Sequence, residues 1–305
     1  MTIQLSQPYS FCQLGQRDYQ EDCRYPIGNS PQHFLPFFIV CDGVGGCEDG
    51  DMASKAVCKG LASYLEHFDW ADVFTTGHLS KALGAAYDAL DDAARHGSSD
   101  MGTTMTMVCF HQAGCTMAHI GDSRIYQIRP KTGIIYRSDD HSTISLLVHT
   151  GLVSPEQAST HHTRNVIERC MSPADGGDER CEATCYHTRN VRAGDYFFLC
   201  TDGVLETVSD QALVSIICGG GSDADKCKRI AQLSSHSQDN NTAYLIRVAS
   251  VEYDNEADII EAEAVGDTLG DATRRSVAKQ PVTEEVGAES NGFGDKLIRV
   301  IKQLF

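Results

Sequence analysis

The chain has 305 residues, a net charge of −17 and 41% hydrophobic residues. That length buries one sizeable core and leaves room for a tail, and the negative field argues against nucleic acid or an anionic membrane as a partner of the folded part. Thirteen cysteines without a C-x-x-C pair, many inside apolar runs as at Cys41, Cys109 and Cys200, argue against a disulfide or zinc framework and for buried thiols in a reducing, cytoplasmic setting.

Residues Met1 to Gln7 lack the basic stretch and apolar run of a secretory signal, and no apolar run reaches the roughly 18 residues that span a bilayer. The apolar run Phe37 to Cys41 predicts a buried strand ending at Asp42. Apolar residues at helical spacing predict helices from Asp51 to His67 and from Leu79 to Arg95. Then the period shortens. Thr103 to Phe110, Cys115 to Ile120, Ile125 to Arg129 and Ile134 to Arg137 predict four strands, read as one antiparallel meander. Between Ser142 and Cys181 neither period holds, although Ser154-Pro155-Glu156-Gln157 carries a capping-box signature. Strands follow at Tyr196 to Cys200 and Ala243 to Val251, with helices at Gln211 to Cys218 and Ala224 to Ser235. Helices grouped around a run of strands predict an α+β fold of packed antiparallel sheets with helices outside.

The expected organisation is one domain over residues 1–252, an acidic, disordered linker over 253–291, and an amphipathic helix over 292–305. Phe293, Leu297, Ile301, Leu304 and Phe305 would form that helix's apolar side. It reads either as a tail docked on the domain or as a contact for a partner or a membrane surface.

Acidic clusters at Glu21-Asp22, Asp42-Gly43, Asp202-Gly203 and Asp239-Asn240 each abut a strand-like run, and Asp122 sits in a Gly-Asp-Ser-Arg turn. Carboxylate and carbonyl oxygens suit hard divalent cations, and carboxylates at strand ends can converge on one pocket. Arg17, four residues before Glu21, adds a planar cation matched to phosphate oxygens. Two nucleophile patterns fit poorly: Cys12 has its arginine one residue too early for a Cys-x5-Arg loop, and Asp49-Gly50-Asp51 follows a loop instead of a strand.

Eight blocks occur in one order: Gly15-x-Arg17-x-x-Gln20-Glu21-Asp22, Asp42-Gly43-Val44-Gly45-Gly46, Gly102-Thr103-Thr104, Gly121-Asp122-Ser123-Arg124, Asp140-His141-Ser142, Arg164-Asn165-Val166, Thr201-Asp202-Gly203-Val204 and Asp239-Asn240-x-Thr242. Over roughly residues 10–250 this order resembles the bacterial branch of the PP2C (PPM) serine/threonine protein phosphatases. The resemblance implies an α-β-β-α sandwich and two Mn²⁺ or Mg²⁺ ions with a water or hydroxide between them that attacks phosphorus directly. It implies Asp42 as the bridging ligand, Glu21 and the Gly43 carbonyl on one ion, and Asp202 and Asp239 on the other. Asp122 with Asp202 would hold a third, weaker ion, Asp22 would orient a water, and Arg17 would clamp the phosphate. Residues 142–180 would form a mobile flap. The implied partners are phosphoproteins and a cognate Ser/Thr kinase, with the enzyme acting as a monomer; the alternative is a PP2C-like regulator that binds phosphoproteins without turnover. Two departures stand out. Val44 occupies the place where animal members carry a histidine, leaving a metal-bound water as the first candidate for general acid, and Gln20 replaces the asparagine usual in bacterial relatives.

Overall fold

A computed structural model describes residues 1–28, 34–44, 49–98, 100–158, 161, 163, 166–174 and 180–253. In chain order the elements are β1 (Thr2–Leu5), β2 (Tyr9–Gln13), β3 (Cys23–Tyr25), β4 (Phe37–Cys41), α1 (Gly50–Leu65), α2 (Thr76–Ala94), β5 (Met105–His111), β6 (Gly114–Ile120), β7 (Arg124–Arg129) and β8 (Gly133–Arg137). There follow α3 (Thr143–His149), α4 (Pro155–Ala158), β9 (Thr184–Thr188), β10 (Tyr196–Cys200), α5 (Asp202–Leu205), α6 (Asp210–Cys218), α7 (Asp223–Ser234) and β11 (Asn241–Glu252).

The central strands are buried on both faces, so their sequences are continuous apolar runs and not alternations. Phe37, Ile39 and Cys41 of β4 pack under α1 and α2 with Met105, Met107 and Cys109 of β5. Phe38, Val40, Val108 and Phe110 turn the other way, against Phe197 and Leu199 of β10 and Tyr244, Ile246 and Val248 of β11. The remaining faces of those two strands carry Tyr196, Phe198, Ala243 and Leu245, which pack with Leu213 and Ile217 of α6 and Ile230 of α7. Strand period two thus divides the core into three layers between helix, sheet, sheet and helix. That is the expected α-β-β-α sandwich.

One sheet runs β3-β4-β5-β6-β9; the other runs β1-β11-β10-β7-β8, with β2 also on β11, and all pairings are antiparallel. The four strands read as one meander are split between the sheets. β5 and β6 form a hairpin in the first, and the chain crosses at Gly121-Asp122-Ser123 to start β7 and β8 in the second. Gly121 has φ +103°, and a Cβ there would meet the Thr104 side chain at 2.7 Å, so this turn demands glycine. The crossing carries Asp122 to one rim of the sandwich.

The short strands β1, β2, β3 and β9 give too little periodicity to be read from sequence, and α3 lies in the stretch left without a period. The capping box forms: Ser154 N–H donates to Gln157 Oε1 and Gln157 N–H to Ser154 Oγ, although the helix is only four residues long. The twelve cysteines among the described residues are free thiols. No described helix is long and apolar enough to cross a membrane. Residues 254–305, on which the linker and the terminal helix were predicted, lie outside the described residues, as do Gly45, Gly46, Arg164 and Asn165.

Candidate metal centre

Antiparallel pairing brings the acidic clusters to one rim. Cys200, the last residue of β10, pairs with Ala243 near the start of β11 and with Arg124 at the start of β7. Cys41 at the end of β4 pairs with Cys23 at the start of β3, and Ile120 at the end of β6 pairs with Met105 at the start of β5. Glu21, Asp22, Asp42, Asp122, Asp202 and Asp239 all lie one to three residues beyond these termini, so the ladders carry them to the same end of the molecule.

Backbone contacts then fix each loop. Asp42 N–H donates to Thr104 Oγ1 at 3.1 Å, while Asp42 C=O accepts from Thr104 N–H and Thr103 Oγ1, both at 2.8 Å. Gly43 N–H donates to Glu21 C=O at 3.2 Å, and Cβ atoms at Gly43 or Gly203 would strike the Gly50 carbonyl oxygen at 2.5 Å or that of Asn240 at 2.1 Å. The close approach of Gly203 to Asn240 is what sets Asp202 beside Asp239. Glu21 Oε1 lies 2.9 Å from where Gly50 would carry a Cβ, so its carboxylate rests at the N-terminus of α1, where the helix dipole favours negative charge.

Arg17 does not pair with Asp18 or Asp22. Its Nη2 donates to Asp239 Oδ2 at 2.7 Å, with side chains 42% and 29% exposed. Such a half-exposed pair is worth about 0–1 kcal/mol and exchanges readily. Arg124, two residues after Asp122, bonds instead to both oxygens of Asp140 at 2.6 Å, leaving Asp122 without it as a hydrogen-bonded partner. Asp49 accepts from Ser98 N–H and Asp51 from Lys55, so the Asp-x-Asp stretch serves local structure.

The carboxylates are packed closely enough to oppose one another's ionisation. Burial, and then the charges of Asp22, Asp202, Asp122 and Asp239, hold Asp42 well above the usual carboxylate range. Burial and Asp239 push Asp202 up to about 6, against a hydrogen bond from Asp42. Asp22 and Asp122 are each pushed up to about 7, by burial first and then by neighbours that include Asp202. Burial also raises Glu21, with Arg17 opposing. Asp22 Oδ2 accepts from Thr201 Oγ1 at 3.1 Å, but its buried Oδ1 has no hydrogen-bond partner.

Among the described residues no three His, Cys, Asp or Glu side chains close around one point as a finished cage. Like charges spread and find other partners, as Asp239 does with Arg17. The donor set nevertheless fits hard divalent cations: all oxygen, largely buried, rich in negative charge and holding one orphaned carboxylate oxygen.

Asn240 is the residue that the sequence reading passed over. Its Oδ1 accepts from Glu21 N–H at 2.7 Å, and its Nδ2 donates to the carbonyls of Leu14 at 2.8 Å and Tyr19 at 3.0 Å. One buried amide thereby ties the start of β11 to the whole loop bearing Arg17 and Glu21. Gly15 does the same by close approach: at φ +62° its Cβ would lie 2.1 Å from the Asp239 carbonyl oxygen. Gln20 keeps an amide's use, donating to Gln13 C=O and accepting from Asp22 N–H. The only forward signal for Asn240 was its place beside Asp239.

The protein phosphatase 2C family profile matches residues 28–235. The serine/threonine protein phosphatase PstP of Mycobacterium tuberculosis is 28% identical over 230 residues, covering 75% of this chain and 43% of that protein, so the chain spans less than half of this relative's length. Protein phosphatase PhpP of Streptococcus pneumoniae is 27% identical over 219 residues, covering 68% of this chain and 84% of that protein. A crystal structure of the PstP catalytic domain in complex with two manganese ions superposes with a TM-score of 0.66 at 25% identity, covering 81% of this chain and 99% of that one.

Two outcomes are expected. Asn240→Asp removes two donors and adds a like charge; with about 1–3 kcal/mol for each unsatisfied carbonyl, stability to urea falls by about 2–5 kcal/mol, and unchanged stability would remove the tie assigned to Asn240. The second concerns pH. Carboxylates with raised folded-state pKa values favour folding below the ordinary carboxylate range, near 4, and lose that contribution as pH rises through about 6 to 7. Burial has the opposite effect on His111, His119, His141 and His187, lowering their pKa values so that they disfavour folding in acid. The melting temperature of Mn²⁺-loaded protein minus that of chelator-treated protein cancels the histidines. That difference should widen from pH 5 to pH 8; a flat or narrowing difference would contradict the buried-charge account.

Proposed function

The chain belongs to the protein phosphatase 2C family, and on that premise we propose that it is a metal-dependent protein phosphatase that hydrolyses phosphoserine and phosphothreonine. The observation that supports this most strongly is the convergence of buried Asp22 and Asp122 with half-buried Asp42 and Asp202, with Glu21 and Asp239 beside them and the Arg17 guanidinium at the rim. In this reading Asp42, Glu21 and the Gly43 carbonyl would hold one ion, Asp42, Asp202 and Asp239 a second, and Asp122 with Asp202 a third, weaker one. The PstP catalytic domain bound to two manganese ions supports a pair of Mn²⁺ or Mg²⁺ ions here. What those ions supply is positive charge against the phosphoryl oxygens and acidification of the attacking water.

The chain's own groups do the rest. The half-exposed Arg17–Asp239 pair is weak enough to break, and the guanidinium, once released, would hold two phosphate oxygens. Asp22, its Oδ2 fixed by Thr201, presents its unsatisfied Oδ1 to orient a water. Val44 N–H donates to Gly102 C=O at 2.9 Å, and its side chain offers no proton, so the leaving alcohol draws its proton from another source. In the cell the enzyme would act in the cytoplasm, as a monomer, opposing a Ser/Thr kinase, with residues 142–180 governing access and the terminal segment contacting a partner or membrane surface.

The test is phosphate release from a phosphothreonine peptide and from an aryl phosphate by the full chain with Mn²⁺ or Mg²⁺. Release should vanish with chelator and fall about a hundredfold or more in Asp42→Asn and Asp202→Asn. Arg17→Ala should lower kcat/KM about 10- to 100-fold, as expected for one lost charged hydrogen-bond donor. Metal-loaded protein that binds the phosphopeptide but releases nothing would establish the regulator reading instead.

A further inference from the structure

The helix-facing side of the second sheet is apolar in its middle and polar at the end away from Asp202. With strand period two, Arg247 shares a face with Ala243 and Leu245 of β11, and Tyr196 shares that face with Phe198 and Cys200 of β10. Tyr196 and Arg247 are register partners, so their side chains stand side by side. Helix α7 begins over them, bringing Asp223 and, almost one turn on, Lys226. These four side chains, with Ser6 and Tyr9, line a recess of about 490 Å³, within the size range of small-molecule sites. Arg247 is six residue steps along β11 from Asn241, roughly 20 Å at about 3.4 Å per residue. Recess and metal centre are at opposite ends of the sheet.

The charges in the recess are unevenly matched. Lys226 is 8% exposed, donates to the Tyr196 hydroxyl at 2.9 Å and sits 4.7 Å above that ring; its ammonium is 4.0 Å from Asp223. The Tyr196 hydroxyl in turn donates to Asp223 Oδ1 at 2.7 Å. Arg247 lies 3.8 Å from Asp223 Oδ2, and its guanidinium makes no hydrogen bond to the described residues. One carboxylate therefore faces two cations, neither closer than 3.8 Å, and the ammonium's hydrogen bond is to a neutral hydroxyl, so each cation keeps room for a further acceptor. A tetrahedral oxyanion meets both needs: the guanidinium fork takes two oxygens and the lysine point charge a third.

We propose that this recess is a second, non-catalytic site for a small phosphate-bearing anion, held between Lys226 and Arg247. A purely structural network pinning α7 to β10 is already complete with Tyr196, Lys226 and Asp223, and Arg247, half-exposed and only loosely paired with Asp223 at 3.8 Å, adds a second cation at the opening. The proposal is independent of the reaction assigned to the metal centre.

The test is calorimetric titration of inorganic phosphate, and separately of glycerol phosphate, into the full chain carrying Arg17→Ala with chelator present, so that the other anion clamp is silent. One saturable site per chain is expected. Arg247→Ala, at a half-exposed position that the fold tolerates, should raise Kd about tenfold or more, the loss of one charged hydrogen-bond donor. Asp223→Asn removes the carboxylate that faces both cations and should tighten binding several-fold, which a structural role would not do. Equal affinity for the two probes identifies free phosphate as the ligand, and tighter binding of the ester identifies an organic phosphate. Absence of saturable binding, or a Kd that Arg247→Ala leaves within twofold, overturns the proposal.

Discussion

Carboxylates crowded together at one rim dominate this structure. Asp22 and Asp122 are nearly inaccessible, Asp42 and Asp202 stand among them, and the charges of Asp22, Asp202, Asp122 and Asp239 oppose ionisation of Asp42. A domain of this size is stable by only about 5–15 kcal/mol, and a shift of one pKa unit corresponds to about 1.4 kcal/mol. A cluster like this is therefore expensive to keep ionised near neutral pH unless a cation enters it. Partial answers are already present: Arg17 on Asp239, Thr201 on Asp22, and the start of α1 near Glu21.

The sandwich concentrates that charge because antiparallel ladders return chain ends to the same rim. β4, β6 and β10 finish where β3, β5, β7 and β11 begin, and the loops there hold six carboxylates. Glycine makes the loops pack. Gly43 and Gly203 allow backbone-to-backbone approaches that a Cβ would block, and Gly15 allows the loop carrying Arg17 to touch Asp239. Asn240 then fastens that loop with three hydrogen bonds. The opposite end of the second sheet is built from the same periodicity but carries Arg247 and Lys226, a local cationic spot on a strongly acidic chain.

Sequence pattern revealed the carboxylates of the rim better than their connections. Asp42 and Asp202 were legible because each ends a continuous apolar run, the mark of a buried strand feeding a rim. The helices at 50–65 and 76–94 were legible from their apolar stripe. The split of β5–β6 from β7–β8 was not, because Gly121-Asp122-Ser123 looks like a hairpin turn until tertiary contacts show it changing sheets. Arg124 stands two residues from Asp122 in the sequence, yet its guanidinium bonds Asp140. Asn240 was opaque for a deeper reason: its bonds run to the carbonyls of Leu14 and Tyr19, which come within reach only through the β2–β11 pairing. Short edge strands such as β3 and β9 carry too few residues for any period to register.

The account's central claim is that carboxylates remote in the chain hold divalent cations together at one rim. Anomalous diffraction at the manganese edge from crystals of the full chain grown with Mn²⁺ tests it most directly. The account predicts manganese peaks in contact with Asp42, shared with Glu21 on one side and with Asp202 and Asp239 on the other, with Arg17 displaced from Asp239. Manganese bound elsewhere, or a site without metal while Arg17 remains on Asp239, would contradict it.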